Sequence, residues 1–289
     1  MIAAIEDFRQ FYAEEIRAVA GLRSDALSHA FASVPREDFL GPGPWKVASF
    51  DAAWSATPRY IPTVDADPKR VYHNVLISID ETRQLNNGQP SALAAWLDAL
   101  ELRAGERAVH VGAGVGYYSA IMAEAVSPGG SVVAIEVNGE LAARAKANLK
   151  RWRNVEVVSR DGSGYDPGPV DAIFVNAGVT HPARLWLDRL NPGGRLLYPL
   201  TFESGGAGGK GWMILVKRDG DSYAARATSF VAIYSCAGLR DPELNISLAK
   251  QLSSGKILSA QWLRLEPHQR DETCIAHQED SCLSQRAPS

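Results

Sequence analysis

The chain has 289 residues, of which 46% are hydrophobic and 22% charged, as is ordinary for a globular protein with a sizeable core. The net charge of −3 gives no general attraction to nucleic acid or anionic membranes, and no apolar stretch is long enough to cross a bilayer. Acidic residues near the N-terminus are atypical of a signal peptide and three cysteines make no disulfide framework, so a cytoplasmic location is expected.

Residues 1–70 are predicted to form a helical and irregular capping region. Apolar residues from Ile5 to Val19 recur at helical spacing, and a second helix is predicted from Ser24 to Ser33. The segment from Gly41 to Pro68 is rich in Pro, Trp and Tyr with little periodicity, which indicates irregular structure.

Residues 71–240 are predicted to form one α/β domain. A β-branched apolar run, Val71 to Ile79, predicts a strand, and Asn86 to Pro90 predicts a turn before a helix near 92–102. The alternation that follows is typical of a mostly parallel sheet with helices on both faces. Strands are expected near 107–111, 131–136, 155–158, 171–176 and 195–200, and helices near 117–126, 139–151 and 181–190.

The C-terminal part is predicted to be less regular. Gly205 to Gly211 reads as a flexible loop, and the apolar runs 212–217 and 223–236 predict a strand pair at the sheet edge. Residues 241–289 form a C-terminal extension, which turns polar and aperiodic beyond Pro267 and is expected to end in a mobile tail.

The most informative stretch is a short apolar strand that runs into a glycine turn. Gly112, Ala113, Gly114 and Gly116 bring the backbone close to a ligand at a helix N-terminus. Twenty residues after Gly116, a second apolar run ends in Glu136, which is followed by Val137. A carboxylate at the end of the second strand accepts hydrogen bonds from the hydroxyls of a ribose, so an adenosine-containing cofactor is predicted.

The glycine spacing narrows the choice of cofactor. A dinucleotide site needs a small third residue in G-x-G-x-x-G, and Tyr117 stands at that position. The bulky side chain argues against a pyrophosphate and favours S-adenosyl-L-methionine. The alternative is a glycine turn that only connects a strand to a helix.

Two further strand ends supply candidate binding residues. Asp161 and Gly162 follow the third strand, where a carboxylate can accept from the adenine amine, although an Asx-turn is the alternative. Asn176 ends the fourth strand and either lines the site or caps the next turn. The triplet Asn176 to Gly178 also occurs in short-chain dehydrogenases, but the late glycine turn and the lack of a following Tyr-x-x-x-Lys disfavour that class.

No nucleophile with an attached base stands out. His110 lies inside a predicted strand and is interpreted as a core residue, and His181 either faces the site or belongs to a surface turn. The spacing of the histidines and cysteines in the tail matches no standard zinc site, so no metal site is predicted. These residues are His268, Cys274, His277 and Cys282. Transfer of a methyl group from a sulfonium to an ionised carboxylate needs alignment rather than a base.

Several motifs in series resemble the protein-L-isoaspartate O-methyltransferase family over roughly residues 20 to 235. Val34 to Phe39 resembles its V-P-R-E-x-F element, Gln89-Pro90 its Q-P, Val109 to Tyr117 its glycine turn, Asp161-Gly162 its G-D-G, and Leu190 to Pro199 its L-K-P-G-G-R-L-V-x-P. The resemblance implies a seven-stranded Rossmann-like class I methyltransferase fold, S-adenosyl-L-methionine as donor, and an isoaspartyl carboxylate as acceptor.

One departure from the family concerns the acceptor. The family's T-I-S falls on Asn86, Asn87 and Gly88, so Gly88 replaces the serine hydroxyl, and Asn86 to Gln89 are expected to form the acceptor loop. Either asparagine can supply donors to a carboxylate, or both only form the turn. Three function classes stay open: isoaspartyl repair, methylation of a dedicated peptide or small-molecule carboxylate, and a cofactor-binding module without catalysis. A nucleic-acid or membrane partner is not expected, and the sequence predicts no oligomeric state.

Overall fold

A computed structural model describes residues 4–49, 59–203, 208–252, 255–278 and 280–288. Residues 50–58 of the predicted aromatic segment therefore lie outside the described residues. Contacts divide the chain into two units. The first comprises Met1–Gly105, Ala113–Ala134 and Asn138–Val158, and the second comprises Glu106–Gly112, Ile135–Val137 and Ser159–Ser289. Within the described residues, no helix is long and apolar enough to cross a membrane.

Helices dominate the first unit. They are α1 (Ile5–Ala20), α2 (Asp25–Ser33), α3 (Pro90–Ala99), α4 (Tyr117–Ala125) and α5 (Gly139–Asn148). Gly21, in the left-handed conformation at φ 63°, ends α1, and the Ser24 side chain caps α2 by accepting from the Leu27 N–H at 3.2 Å. The two helices predicted in the N-terminal region are therefore confirmed.

The strands are numbered along the chain. They are β1 (Lys46–Ala48), β2 (Tyr60–Pro62), β3 (Ser78–Asp80), β4 (Leu85–Asn86), β5 (Arg107–Val111), β6 (Ser131–Glu136), β7 (Val155–Ser159), β8 (Val170–Val175), β9 (Leu190–Glu203), β10 (Gly208–Asp219), β11 (Ser222–Tyr234), β12 (Trp262–Arg264), β13 (Cys274–His277) and β14 (Cys282–Ser284). In the first unit, β1 pairs with β2 and β3 with β4, both antiparallel.

The strand predicted over Val71 to Ile79 is largely wrong. A short 3-10 helix ends at Val71, and only Ser78 and Ile79 of this run belong to a strand, β3. The reason is Arg36, which is fully buried and donates to the carbonyls of Val71 at 2.6 Å, His73 at 2.8 Å and Val75 at 2.7 Å. A guanidinium thus takes the carbonyls that a neighbouring strand would otherwise bind.

The second unit is built on a mixed sheet with the strand order β13-β14-β12-β11-β10-β9-β8-β5. Only the β5–β8 and β8–β9 pairs in this series are parallel, and the pairs from β9 to β13 are antiparallel. Strands β5, β8 and β9 are thus parallel, as the alternation predicted, and β10 and β11 form the predicted strand pair. This pair does not end the sheet, because β12 pairs with β11.

Part of the predicted glycine loop is strand. Gly208 to Gly211 open β10, and a Cβ on Gly211 would lie 2.0 Å from the Leu200 carbonyl oxygen. The glycines here serve close backbone approach between β9 and β10 rather than a flexible loop. Residues 205–207 of that prediction lie outside the described residues.

Two other segments of the second unit differ from the sequence predictions. The helix expected over 181–190 is reduced to α6 (Arg184–Asp188), because Pro182 turns the residue before it away from helical geometry. The C-terminal extension contains α7 (Pro242–Leu252), and beyond Pro267 the expected polar tail holds β13 and β14.

His110 lies in the core of the second unit, as predicted. It is fully buried in β5 and stacks on Phe174 of β8 with ring centroids 5.1 Å apart. Burial lowers the pKa of His110 to about 3, from an ordinary value of 6.5.

Acid is therefore expected to destabilise the fold through His110. Between these pKa values the imidazole binds a proton in the unfolded chain but not in the folded chain. The contribution of His110 to the free energy of unfolding therefore rises with pH and reaches its full value above about pH 6.5. The loss on acidification is about 1.4 kcal/mol per pH unit for this one group. Urea unfolding at several pH values gives the free energy of unfolding as a function of pH, and this free energy should rise less steeply with pH for His110→Phe than for the parent. An equal dependence on pH in both proteins would contradict the lowered pKa of His110.

Candidate active site

The carboxyl ends of β5, β6 and β8 lie side by side in the second unit. The Gly112 N–H donates to the Ile135 carbonyl at 2.9 Å, and the Asn176 N–H donates to the Val111 carbonyl at 2.8 Å. Ligands of open α/β sheets bind beyond such strand ends. Gly112, Glu136 and Asn176 follow or end these three strands, so this edge carries three of the predicted binding residues.

Glu136 and Val137 have opposite environments. Glu136 is the last residue of β6 and is 7% exposed, and its carbonyl accepts from the Arg160 N–H at 3.1 Å. Val137 is 54% exposed although it is apolar. A shielded carboxylate next to an exposed apolar side chain suits a ligand with adjacent hydroxyls and a flat ring.

The glycine turn needs its glycines for defined reasons. Gly112 has φ +79°, and a Cβ there would lie 3.2 Å from the Asn176 carbonyl oxygen in the second unit. In the first unit, Gly116 has φ +95°, and a Cβ there would lie 2.7 Å from Leu149 Cδ1. Ala113 is buried between these positions, and Gly114 has φ +57° with open space around it.

Tyr117, the residue that distinguishes this turn from a dinucleotide motif, points into the first unit. Its ring packs edge-on against Phe39 at 5.5 Å, Tyr118 at 5.0 Å and Phe31 at 6.5 Å between centroids. The side chain is 2% exposed, so it anchors the start of α4 in an aromatic cluster.

Asp161 and Gly162 form a turn in the second unit. Asp161 is exposed, and its Oδ1 accepts from the Ser163 N–H at 2.9 Å, the geometry of an Asx-turn. Gly162 is buried, and its carbonyl accepts from the Trp186 Nε1–H at 2.9 Å. Trp186 was not singled out from the sequence, since nothing local links it to a turn so far away along the chain.

The expected acceptor loop, Asn86 to Gln89, lies in the first unit. Asn87 exchanges two hydrogen bonds with Ile77: its N–H donates to the Ile77 carbonyl at 3.0 Å and its Oδ1 accepts from the Ile77 N–H at 2.8 Å. The Asn87 side chain is thereby fixed, and the residue is 7% exposed. Its Nδ2 is buried and has no hydrogen-bond partner among the described residues.

The neighbours of Asn87 hold the loop in shape. Asn86 Oδ1 accepts from the Gly88 N–H at 2.9 Å, so Asn86 forms a turn. Gln89 Nε2 donates to the carbonyl and Oδ1 of Asn74 at 2.7 and 2.9 Å. Asn74 Oδ1 also accepts from the Ser91 N–H at 3.0 Å, which ties the loop to the start of α3. Among the described residues, Asn87 is therefore the side chain of this loop with a donor that is both buried and unused.

Gly88 cannot carry a side chain without a shift of its surroundings. Its φ is +78°, and a Cβ would lie 2.8 Å from Leu93 Cδ2, a core atom of α3. The loop as it is folded here therefore has no room for a serine at position 88 unless Leu93 shifts.

Gly88→Ala and Gly88→Ser are each expected to lower the free energy of unfolding by about 2 kcal/mol, from backbone strain plus crowding against Leu93. Gly105→Ala is the matched control. Gly105 has φ +85° and nothing within 4 Å of a Cβ, so only the backbone cost of about 1 kcal/mol applies. Chemical denaturation of the three variants measures the difference, and equal losses at both positions would refute the contact with Leu93.

His181 is partly buried beside Thr180, whose Oγ1 lies 3.0 Å from its Nδ1. Burial lowers the pKa of His181 below its usual value. Thr180 Oγ1 also accepts from the Asp241 N–H at 3.0 Å, so this pair belongs to a hydrogen-bonded loop of the second unit.

Comparison with known proteins agrees with this arrangement. The model of the protein-L-isoaspartate(D-aspartate) O-methyltransferase family matches residues 13–234. The chain belongs to this family. Among relatives, a protein-L-isoaspartate O-methyltransferase 1 of Rhodopseudomonas palustris is 36% identical over 205 residues, 68% of this chain and 72% of the relative. A relative from Methanopyrus kandleri is 29% identical over 246 residues, 81% of this chain and 95% of its own length.

Not every match in the family is full length. The alignment with the Thermotoga maritima protein-L-isoaspartate O-methyltransferase, 30% identical, spans 62% of this chain and only 52% of that protein. The family match also ends before α7, so β12, β13 and β14 lie outside it.

Solved structures show the fold. A protein-L-isoaspartate O-methyltransferase structure aligns over 83% of this chain and 69% of its own with a TM-score of 0.61 at 24% identity. A Plasmodium falciparum structure described as such a methyltransferase in complex with S-adenosyl-L-homocysteine aligns over 79% of this chain and 97% of its own with a TM-score of 0.54 at 18% identity. This family member therefore has the α/β class I methyltransferase fold.

Proposed function

We propose that this family member is an S-adenosyl-L-methionine-dependent O-methyltransferase that methylates a carboxylate of an isoaspartyl peptide or protein. One observation carries the proposal: Gly112 and the buried Glu136 stand at the ends of neighbouring strands, joined through the Gly112–Ile135 hydrogen bond, in a chain of this family. A glycine turn beside a carboxylate is the arrangement that adenosine recognition requires.

The residues fit such a cofactor. A side chain at Gly112 would meet the Asn176 backbone, so the turn presents bare backbone. Glu136 supplies acceptors for two ribose hydroxyls, and Val137 an apolar surface for a ring. We assign Ala113, Gly114 and Gly116 to the backbone turn, and Asp161, Gly162 and Asn176 to the adenine end. The Asp161 carboxylate is the acceptor that we propose for the adenine amine, and its Oδ1 also accepts from the Ser163 N–H.

The proposed reaction needs little proton transfer by the protein. The cofactor, when bound, supplies a methyl group on a positively charged sulfur, and a carboxylate is already ionised at neutral pH. The residues of the chain then have to orient the carboxylate and exclude water. We assign the positioning role to Asn87, because its Nδ2 is buried and has no hydrogen-bond partner among the described residues, while its Oδ1 is fixed by the Ile77 N–H.

Glu136→Gln is expected to weaken S-adenosyl-L-homocysteine binding about 10- to 100-fold, since hydrogen bonds to a charged group contribute about 1.5–3 kcal/mol. Isothermal titration calorimetry measures the affinity. Glu140→Gln, in the exposed first turn of α5, is the control and should bind like the parent. Unchanged binding by Glu136→Gln would remove the cofactor assignment.

The acceptor is tested separately. An isoaspartyl peptide should incorporate more radiolabelled methyl groups than the matching aspartyl peptide. The incorporated label should be released by base, as expected for a methyl ester. Gly88 favours one alternative, a dedicated peptide or small-molecule carboxylate, because this loop lacks the family hydroxyl. If the protein binds the cofactor and methylates other carboxylates but not the isoaspartyl peptide, that alternative is selected. If it binds the cofactor and transfers no methyl group to any acceptor, it is a cofactor-binding module without catalysis.

The finer assignments are proposals of the same kind. We propose that β5 to β11 are the seven strands of the methyltransferase sheet, with helices on both faces, within a domain of residues 71–240. Residues 1–70 are proposed as its cap and residues 241–289 as an extension. A cytoplasmic location and the lack of nucleic-acid and membrane partners stay predictions from the sequence.

A further inference from the structure

Four potential metal ligands converge at the C-terminal end of the second unit. They are His268, Cys274, His277 and Cys282, and one ligand atom from each lies within 4.8 Å of the corresponding atom of every other. Both cysteines are buried, and the two histidines are partly buried. None of the four residues belongs to β5, β6 or β8, and all four lie beyond the residues matched by the family.

The strand pairing explains why the sequence spacing did not predict this cluster. His277 of β13 stands opposite Cys282 of β14 in the antiparallel register. Residues three apart on a regular strand point to opposite faces. A register shift between Cys274 and Ala276 inserts one extra residue, which turns Cys274 to the same side as His277. Three of the ligands therefore come from a bulged hairpin and His268 from the segment between β12 and β13, rather than from the knuckle or helix of a standard zinc motif.

The distances suit tetrahedral coordination. Zn–S bonds near 2.3 Å and Zn–N bonds near 2.0–2.1 Å put a sulfur and a nitrogen ligand about 3.5 Å apart around a tetrahedral ion. Cys274 Sγ and His268 Nε2 are 3.5 Å apart. Two thiolates and two imidazoles are the donor set that zinc prefers in closed structural sites.

The surroundings of the ligands are arranged as around a metal. His268 Nδ1 lies 2.9 Å from the Glu266 carbonyl, which fixes the proton on Nδ1 and leaves Nε2 as the lone-pair donor toward Cys274. The Asp271 N–H points at Cys274 Sγ at 3.4 Å. His277 Nδ1 is buried and has no hydrogen-bond partner in the part of the chain that the structure describes.

We propose that His268, Cys274, His277 and Cys282 bind one structural Zn²⁺ ion. All four positions are protein ligands, so no position is left for substrate, and the ion holds β13, β14 and the segment after β12 together. The next residue after His277 extends this effect: Gln278 Nε2 donates to the Thr180 carbonyl at 2.6 Å. The hairpin of β13 and β14 thus supports the loop that follows β8 in the second unit.

The competing chemistry for two neighbouring thiols is a disulfide. A bond between Cys274 and Cys282 would need an oxidant, would leave both histidines without a role, and would not account for the orientation of His268. Zinc binding displaces the two thiol protons and disulfide formation removes two hydrogen atoms, so the zinc-bound form is heavier than the disulfide form by one zinc. Native mass spectrometry separates the two forms, and after removal of the metal the reduced chain is two hydrogen atoms heavier than the disulfide form.

The test is the metal content of the full chain purified under reducing conditions without a metal-affinity step. Elemental analysis should find about one zinc per chain, and native mass spectrometry should show the matching mass with both thiols reduced. After removal of zinc by a chelator, Co²⁺ should restore the melting temperature and give the visible absorption of a tetrahedral thiolate site. These measurements use the unaltered protein, so they do not depend on the folding of any variant.

Variants locate the site. His277→Gln and Cys282→Ser should each retain less than about one tenth of the zinc, because a structural site uses all four ligands. Cys236→Ser, at a buried cysteine outside the cluster, should retain all of it. Protein that carries no zinc and takes up neither Zn²⁺ nor Co²⁺, or that contains a Cys274–Cys282 disulfide, would overturn the proposal.

Discussion

Replacing Arg36 by methionine is expected to lower the free energy of unfolding by about 3–5 kcal/mol, a large fraction of the stability of an ordinary domain. The guanidinium is fully buried and donates to three backbone carbonyls, those of Val71, His73 and Val75. Methionine fills a similar volume but removes the guanidinium donor from the Val71 and Val75 carbonyls, at about 1–3 kcal/mol each before relaxation, whereas the His73 carbonyl still accepts from the Val75 N–H at 2.8 Å. Urea unfolding followed by circular dichroism measures the loss.

Arg17→Met is the matched control for Arg36→Met. Arg17 pairs with Asp25 at 2.8 Å on the surface, with side chains 48% and 88% exposed, so its loss should cost under about 1 kcal/mol. A loss at Arg36 as small as at Arg17 would mean that water replaces the guanidinium. The segment that Arg36 holds includes Asn74, the partner of Gln89, so methyl transfer by Arg36→Met should fall as well.

Asn87→Asp is expected to reduce methyl transfer about 100-fold, mainly through a higher KM for the acceptor. The aspartate keeps an oxygen for the Ile77 N–H but replaces the Nδ2 donor by a negatively charged oxygen. Like charges brought together in a shielded site cost several kcal/mol, and about 2.7 kcal/mol corresponds to 100-fold. Initial rates with a methyl-accepting peptide measure the effect.

Two comparisons make the Asn87 result interpretable. Asn87→Ala removes the donor without adding a charge, so its loss should be near tenfold, the typical effect of one hydrogen bond to a charged group. Affinity for S-adenosyl-L-homocysteine should stay unchanged in both variants if they are folded. Methylation at the parental rate by Asn87→Asp would show that Asn87 only shapes the loop.

The sequence predicted best what is local along the chain. β5 and β6 have the bounds expected from their apolar runs, and the turn from Gly112 to Gly116 follows β5 directly. A strand, a glycine turn and a carboxylate at a fixed separation are features of consecutive residues, so the edge that carries Gly112 and Glu136 could be predicted without knowledge of distant contacts.

What the sequence did not predict depends on partners far away along the chain. Val71 to Ile79 has the composition of a strand, but Arg36, from another segment, takes its carbonyls. The unused donor of Asn87 appears only when the pairing with Ile77 is known. Likewise, one register shift in β13 brings Cys274 to the side of His277, and no spacing rule reveals it.

The close approach of Gly88 to Leu93 also constrains the order in which this loop can change over evolutionary time. A serine introduced at Gly88 meets Leu93 Cδ2 and a left-handed backbone before its hydroxyl can serve any acceptor. A smaller residue at position 93 would remove that contact, but it would leave a cavity beside α3 until the serine arrived. Either order of the two substitutions therefore passes through a less stable intermediate, so stability opposes the change from this loop to the serine-bearing form.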